Sequence, residues 1–407
     1  MMHKSVFPNI SAVNMILTII LFSISLLNAQ EINKPITQGI ASSAPEWDAL
    51  FQRKKGWFGG DGIFAIPLDG KEYVTATDST KTLFIFSDSV LGQIGENGTL
   101  KKKEDFSFVN NAVALLKGSK PTADNFQFFY PEDKEGKPTS VFKPNTPQTK
   151  PGEYFWLGDG FVNVDKDSTL YIFSYRITHI EPITSFFDFD QVSVTLLAIP
   201  KNTPIPFEKG VRQIETPLLF PYSYGLGNTT FGSGIIVNTK SAGAPNPDGY
   251  IYILGTGGLD KELLIARVKP EQFEDFSAWR YWDGNTWNTD KTKVRGVTKG
   301  VSNELSMSPA DNGRWILVHQ LFGMTPEVSI QMTKSITGPY YPTRNVWHCP
   351  ELEEDLDYYA YNAKAYPHLS KPGELLISYN VNSFDFFKDI LTDPTHCRPR
   401  FITIKIH

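Results

Sequence analysis

A chain of 407 residues, 41% of them hydrophobic, is long enough for two ordinary domains or for one large closed all-β architecture. Its 29 Phe, 17 Tyr, 8 Trp, 31 Gly and 28 Pro favour strands and turns over long helices. A formal net charge of -5 with both signs scattered excludes the clustered basic face that nucleic-acid binding needs, and the KKKED of residues 101–105 reads as a solvated loop.

Residues 1–29 read as a secretory signal. His3 and Lys4 lead into the apolar stretch MILTIILFSISLL (15–27), and the following NAQ places cleavage after Ala29. The stretch is short for a membrane span, and no cysteine follows it as a lipoprotein signal requires; an uncleaved anchor is the alternative. Residues 30–44 make a polar lead and 45–407 one catalytic domain, expected to be secreted or periplasmic, free of the membrane after cleavage, and monomeric. Cys349 and Cys397 stay in the mature chain, where thiols oxidise, so a bridge between them is open; two thiols are too few for a structural zinc site.

From residue 60 onward one unit returns five times: a small-residue box, a strand, a turn and a second strand of β-branched and aromatic residues. The copies span 60–89 (GDGIFAIPL…LFIFSDS), 158–175 (GDGFVNV…LYIFSY), 232–257 (GSGIIVN…YIYILGTG), 303–320 (NELSMSP…WILVHQ) and 362–380 (NAKAYPHL…LLISYN). Each turn carries Asp, Asn, Gly or Pro, as hairpins need. A third apolar segment follows each pair, at 110–118, 192–201, 262–270, 328–339 and 398–406. This repeat predicts an all-β, five-bladed β-propeller, with the last strand completing a blade against N-terminal sequence; a two-sheet sandwich is the alternative and needs no repeat.

In such a ring the first strand of each blade lines the channel, and the boxes open those strands where neighbouring blades crowd. Aligning the boxes brings Asp61, Asp159, Ser233, Glu304 and Ala363 to equivalent places, so three carboxylates converge from three blades. Crowded, desolvated carboxylates split their pKa values, which is what glycosidic cleavage by an acid and a base or nucleophile requires. The structural alternative is that each Asp caps backbone N–H groups at a strand start. Asp88 ends the second strand of the first unit, where the other units carry Tyr175, Thr256, Gln320 and Asn380, so that unit supplies two carboxylates. Trp57, Phe58, Trp156 and Tyr361 are candidates for stacking on sugar rings, and Asn110, Asn111, Asn228, Lys364, Asn380 and Asn382 for binding hydroxyls. The cluster WRYWDGNTW (279–287) reads as an outer loop.

The runs GWFGGDGIFAIPL…LFIFSDSVLG, FVNNA and YNAKAYPHL…GELLISYNVNS…RPRFI resemble the secreted bacterial propellers of the domain-of-unknown-function groups 4185 and 5005. That resemblance implies a carbohydrate-active propeller related to the endo-D-arabinanases of glycoside hydrolase family 183 and similar in architecture to family 43. By the first pattern the acidic pair falls on Asp61 and Asp88; by the second, one acid per blade falls on Asp61, Asp159 and Glu304. Where relatives commonly read KAHP this chain reads KAYP, placing Tyr366 at a possible ring histidine, with His368 two residues on. The Ser-x-Asp-x-Gly-x-Thr-Trp box of sialidases is absent.

The expectation is a secreted glycoside hydrolase acting on a polysaccharide or oligosaccharide, an arabinan-like pentofuranose chain first. Asp61 is the base, Asp88 or Glu304 the acid, and Asp159 a tuning group. No cofactor is expected, although a channel cation such as calcium stays open. The alternative is a non-catalytic glycan-binding propeller.

Overall fold

The computed structural model describes residues 40–180, 188–310 and 313–406. The expected signal at 1–29 and most of the polar lead lie outside the described residues. The fold is all-β, built from antiparallel sheets in sequence order. The first sheet pairs Phe64–Pro67, Lys81–Phe86, Ala112–Lys117 and Phe126–Phe129, and the second Tyr154–Asn163, Thr169–His179, Phe189–Ile199 and Arg212–Glu215. The third runs from Leu219–Pro221 through Asn228–Asn238, Tyr250–Gly257 and Glu262–Val268 to the outer hairpin Arg280–Trp282 and Trp287–Asn288. The fourth holds Ser306–Pro309, Trp315–Gln320, Glu327–Thr333 and Arg344–His348. In the fifth, Tyr358–Ala365, Glu374–Ser383 and Pro399–Lys405 are completed by the N-terminal strand Ala41–Ser43. A small extra sheet, Lys55–Gly60 with Ser89–Gln93 and Phe106–Val109, flanks the first.

The middle of each second strand is largely apolar on both faces because it packs against a neighbouring sheet on either side. In the LFIF run, Leu83 and Ile85 enter the core shared with the second sheet. Phe84 and Phe86, on the opposite face, enter the core shared with the fifth sheet and the N-terminal segment. Period-2 alternation thus sends two sets of side chains into two cores. The third sheet repeats the pattern: Ile251 and Ile253 pack toward the second sheet, Tyr252 and Leu254 toward the fourth.

Hydrogen bonds link each sheet to the next and the last to the first. Ser87 Oγ accepts from Leu157 N (2.9 Å), Asp159 Oδ2 from Ile235 N (2.7 Å), Ser233 O from Leu305 N (3.1 Å) and Ser306 Oγ from Ala365 N (2.7 Å). The Tyr366 hydroxyl then donates to Ile63 O (2.8 Å). Tyr366, at the position of the possible ring histidine, is therefore a buried closure residue that also bonds Ser378 Oγ (2.6 Å). His368 is buried against the Thr82 hydroxyl, and desolvation lowers its pKa to about 3.

The small-residue boxes are irregularities in the inner strands. Gly158 and Asp159 bulge opposite Phe173, Gly232 and Ser233 interrupt the register opposite Leu254 and Gly255, and Asn362 and Ala363 bulge opposite Tyr379. Such insertions re-aim side chains and sharpen strand twist. Cys349 and Cys397 are both free and buried, so the possible bridge does not form; Cys349 sits in the core of the fourth and fifth sheets and Cys397 beneath Gly59.

Phe51 joins the terminal segments to the first sheet: it stacks on Phe401 (5.4 Å between centroids) and meets Trp57, Phe86, Phe126 and Phe128 edge-on, with no exposure. Phe51→Ala is expected to cost about 3–5 kcal/mol in urea unfolding, the usual range for deleting a fully buried aromatic ring. A change below about 1 kcal/mol would mean this closure adds little to stability.

Candidate active site

Asp61 sits in the break between the strands Lys55–Gly60 and Phe64–Pro67, and Asp88 follows the strand Lys81–Phe86. Their backbones pair: Asp61 N donates to Asp88 O (3.0 Å) and Ser87 N to Asp61 O (2.8 Å). Two glycines make this approach possible. Gly62 has φ +61°, and a Cβ there would collide with the Ser87 side chain; a Cβ at Gly59 would run into the Cys397 sulfur. The C-terminal segment fixes the box, since Cys397 O accepts from Gly60 N (2.8 Å) and Arg398 Nε donates to Phe58 O (2.9 Å).

Both carboxylates line a cavity of about 1070 Å³ at the end of the sheets where the inner strands begin. The Tyr361 hydroxyl donates to Asp61 Oδ2 (2.5 Å), and Asn382 Nδ2 donates to the same phenol oxygen (3.3 Å). Asp88 Oδ1 accepts from Trp156 Nε1 (2.8 Å) and Asn110 Nδ2 (3.2 Å), while among the described residues Oδ2 accepts none. Burial pushes the Asp61 carboxyl up to about 7 and Glu304 adds to this, against the Tyr361 hydrogen bond and the Lys364 ammonium. Burial, and then the charge of Asp61, hold Asp88 well above the ordinary carboxylate range despite its two N–H donors.

Of the expected ligand-facing residues, Asn110, Trp156, Tyr361 and Asn382 line this cavity. Trp57 does not: it is buried in the core, stacked on Phe128 (4.5 Å), with its Nε1 on Ser89 Oγ. Phe58 is likewise core. Asn111 is consumed by the backbone, donating to Phe142 O and Phe155 O and accepting from Phe142 N. Asn228 lies exposed at the start of a third-sheet strand, outside the cavity lining. Asn380 is buried as the cross-strand partner of Tyr361, with neither amide atom bonded among the described residues. The 279–287 cluster forms the outer edge of the third sheet, with Trp279 fully buried.

The other two carboxylates belong to an inner cluster. Asp159 spends both oxygens on backbone N–H groups, Oδ1 on Gly160 (2.8 Å) and Oδ2 on Ile235 (2.7 Å), which is the capping role. Glu304 forms a buried ion pair with Lys364 Nζ. That ammonium, expected to meet a ligand, instead lies 1% exposed, 4.4 Å above the Phe64 ring and bonded to Asn362 O (3.1 Å). Asp159 and Lys364 line a separate cavity of about 50 Å³ with Glu72. Burial raises Asp159 to about 7 and raises Glu304, with Lys364 opposing both. Among the described residues no three His, Cys, Asp or Glu side chains cluster as a metal site would need.

The sequence reading missed the far walls of the main cavity. Tyr154 and Phe189 stand beside Trp156, the latter edge-on at 4.6 Å, and Tyr359 stacks on Phe384 at 4.5 Å. Phe108, Phe384 and Phe387 line the cavity while 42%, 52% and 51% exposed. The doublet of aromatics in SFDFF (383–387), directly after a predicted strand, was the available signal.

Two adjoining carboxylates in an aromatic-walled cavity are an arrangement capable of acid-base or nucleophilic chemistry on a polar ligand. The chain belongs to the family described as Domain of unknown function (DUF5005), whose model matches residues 45–406. In structure it is similar to a "putative hydrolase" of Bacteroides ovatus ATCC 8483, with a TM-score of 0.66 at 17% identity, covering 92% of this chain and 94% of that one. Weaker likenesses include a levansucrase variant of B. megaterium (TM-score 0.44, 13% identity, 84% and 81% covered). Another is an exo-β-1,3-galactanase variant of Phanerochaete chrysosporium (TM-score 0.43, 8% identity, 90% and 64% covered). No curated protein matches the chain in sequence.

Asp61 and Asp159, each raised from 3.8 to about 7, bind protons more tightly folded than unfolded. Between those values the folded chain holds more protons, so their contribution to stability is fully present below pH 3.8 and is lost as pH rises through about 7. Unfolding midpoints across that window should fall with rising pH, and Asp61→Asn or Asp159→Asn should each flatten the slope. Slopes unchanged in both variants would contradict the burial of these charges. Lys364→Met leaves Glu304 as an unpaired buried charge and is expected to cost about 3–5 kcal/mol at neutral pH. The loss should shrink toward acid, where Glu304 protonates; a pH-independent loss would point to packing alone.

Proposed function

We propose that this protein is an exported five-bladed β-propeller glycoside hydrolase that cleaves a polysaccharide with the carboxyl pair Asp61 and Asp88. The fivefold succession of sheets, each hydrogen-bonded to the next, supports the propeller reading. The signal-like N-terminus supports export, to the periplasm or beyond.

The observation that carries the activity is the unequal environment of two adjacent carboxyls in one open cavity. Tyr361 donates to Asp61, and the Lys364 ammonium favours its charge, so Asp61 is the group that works ionised. Asp88 faces that charge and has one oxygen free of donors, so it carries the proton. Asp88 then protonates the leaving glycosidic oxygen while Asp61 activates water or attacks the anomeric carbon. Exposed aromatic rings on the cavity walls suit the C–H faces of sugar rings, and Asn110 and Asn382 supply amide groups at the polar end. The sequence resemblance to family 183 makes an arabinan-like chain the first substrate to try.

The test is incubation with a polysaccharide panel, arabinan included, followed by reducing-end assay from about pH 4 to 8, the span over which tuned carboxyls work. Asp61→Asn and Asp88→Asn should each lower turnover at least about a hundredfold while leaving the circular dichroism spectrum intact. Asp159→Asn should cost less. Glycan binding without release of reducing ends at any pH would favour a non-catalytic binding propeller instead. Near-normal turnover in both Asp61 and Asp88 variants would shift the chemistry to Glu304 and Asp159.

A further inference from the structure

The backbone of Asp61 is held by Ser87 and Asp88, but its side chain is held from elsewhere. Its side chain is reached from the fifth sheet by a hydrogen-bond chain whose direction can be read from the donors at its far end. Ser383 N donates to Asn382 Oδ1 (2.8 Å), so the Asn382 amide nitrogen must face the other way, toward Tyr361. That nitrogen donates to the Tyr361 phenol oxygen (3.3 Å), occupying one of its lone pairs. The phenol has a single proton, and the atom that takes it is Asp61 Oδ2, 2.5 Å away. Ser383 is itself anchored, because its hydroxyl donates to Asp389 in the helix Phe386–Thr392 and accepts from Asp385 N (3.0 Å).

We infer that Tyr361, oriented by Asn382, is a positioning residue that holds Asp61 in one rotamer and in its ionised form, and so sets the acid limit of the pH range in which the site works. This rests on the proposed role of Asp61 as the group that acts ionised. The geometry requires all three members: without Asn382 the phenol can rotate its proton toward the cavity, and without the phenol Asp61 Oδ2 has no side-chain donor among the described residues.

Other groups face Asp61 as well. Asp88, in the adjoining strand end, and Glu304, from the segment before the fourth sheet, oppose its charge; Lys364, on the same strand as Tyr361, favours it. Tyr359 and the Cys397 thiol stand close enough to feel Asp61. None of these donates a hydrogen bond to the Asp61 carboxylate in the structure, so the Tyr361 hydroxyl is the contact whose removal isolates the effect.

The experiment needs no substrate. Carboxyl-¹³C-labelled Asp in the full mature chain is titrated by NMR, with Asp61→Asn used to assign the Asp61 resonance. Tyr361→Phe removes only the hydroxyl, and the Asp61 midpoint should move up by about one pH unit, the size expected for losing a hydrogen bond to a charged group. Asn382→Asp offers the phenol proton a competing carboxylate and adds a like charge, so it should move the midpoint at least as far although the phenol remains. Asn382→Ala should give a smaller shift in the same direction. Should a cleaved polysaccharide be found, the acid limb of its pH profile must move with the NMR midpoint in each variant. A midpoint unchanged in Tyr361→Phe, with the circular dichroism spectrum intact, overturns the inference. So does an Asn382→Asp variant that titrates like the parent. If the midpoints shift as stated but the panel shows no hydrolysis, the network stands and the hydrolase reading falls.

Discussion

One ammonium, that of Lys364, is buried among several carboxyls. It pairs with Glu304 and lowers the proton affinity of Asp61 and Asp159. In a low-dielectric interior one cation cannot neutralise three anions, and each uncompensated charge carries a desolvation penalty of several kcal/mol. The carboxyls are therefore forced apart in protonation, and each one's state depends on what else donates to it. Asp159 has two backbone N–H groups, Glu304 the ammonium, Asp61 a phenol and Asp88 an indole and an amide. That uneven supply of donors is what distinguishes the four carboxyls from one another.

The same places that gather the carboxyls also close the architecture. The bulges at Asp159, Ser233 and Ala363 let successive inner strands approach one another, and the hydrogen bonds that join neighbouring sheets start within two residues of them or at the bulge itself. The irregularity thus accompanies the close packing whether or not it carries an acid, as Ser233 and Ala363 show. Asp159 stands at a position that the close approach of strands already makes irregular, and a bulge there re-aims its side chain.

The main cavity is walled largely by segments that interrupt the repeat. The extra sheet carrying Phe108, the stretch 140–153 ahead of Trp156, and the helix-bearing connection 384–396 supply most of the cavity's walls. Exposed phenylalanines at such a wall are costly in water, and a ligand with flat apolar faces would cover them. The separate small cavity, by contrast, is lined by Glu72, Asp159 and Lys364 among others and has room for little more than water.

The sequence by itself determined the all-β class and a repeating succession of strand pairs, and it aligned Asp159, Ser233 and Ala363, which all fall at bulges, because period-2 alternation and turn chemistry are local properties of the chain. It also marked Asp88, since a charge at the end of an apolar strand is visible without a structure. What only the tertiary structure decided is which acids share a ligand-accessible space. Asp61 and Asp88 meet in the open cavity, whereas Asp159 caps backbone and Glu304 pairs with Lys364. Trp57 and Trp156 look alike in sequence, each a tryptophan just ahead of a glycine box, yet one fills the core and the other holds Asp88. The difference lies in what packs against each ring: Phe51, Phe86 and Phe128 cover Trp57, while Trp156 faces the open cavity beside Phe189. Contacts between residues 300 positions apart, such as Tyr361 with Asp61, are set by how the ring of sheets closes, and no local pattern encodes them.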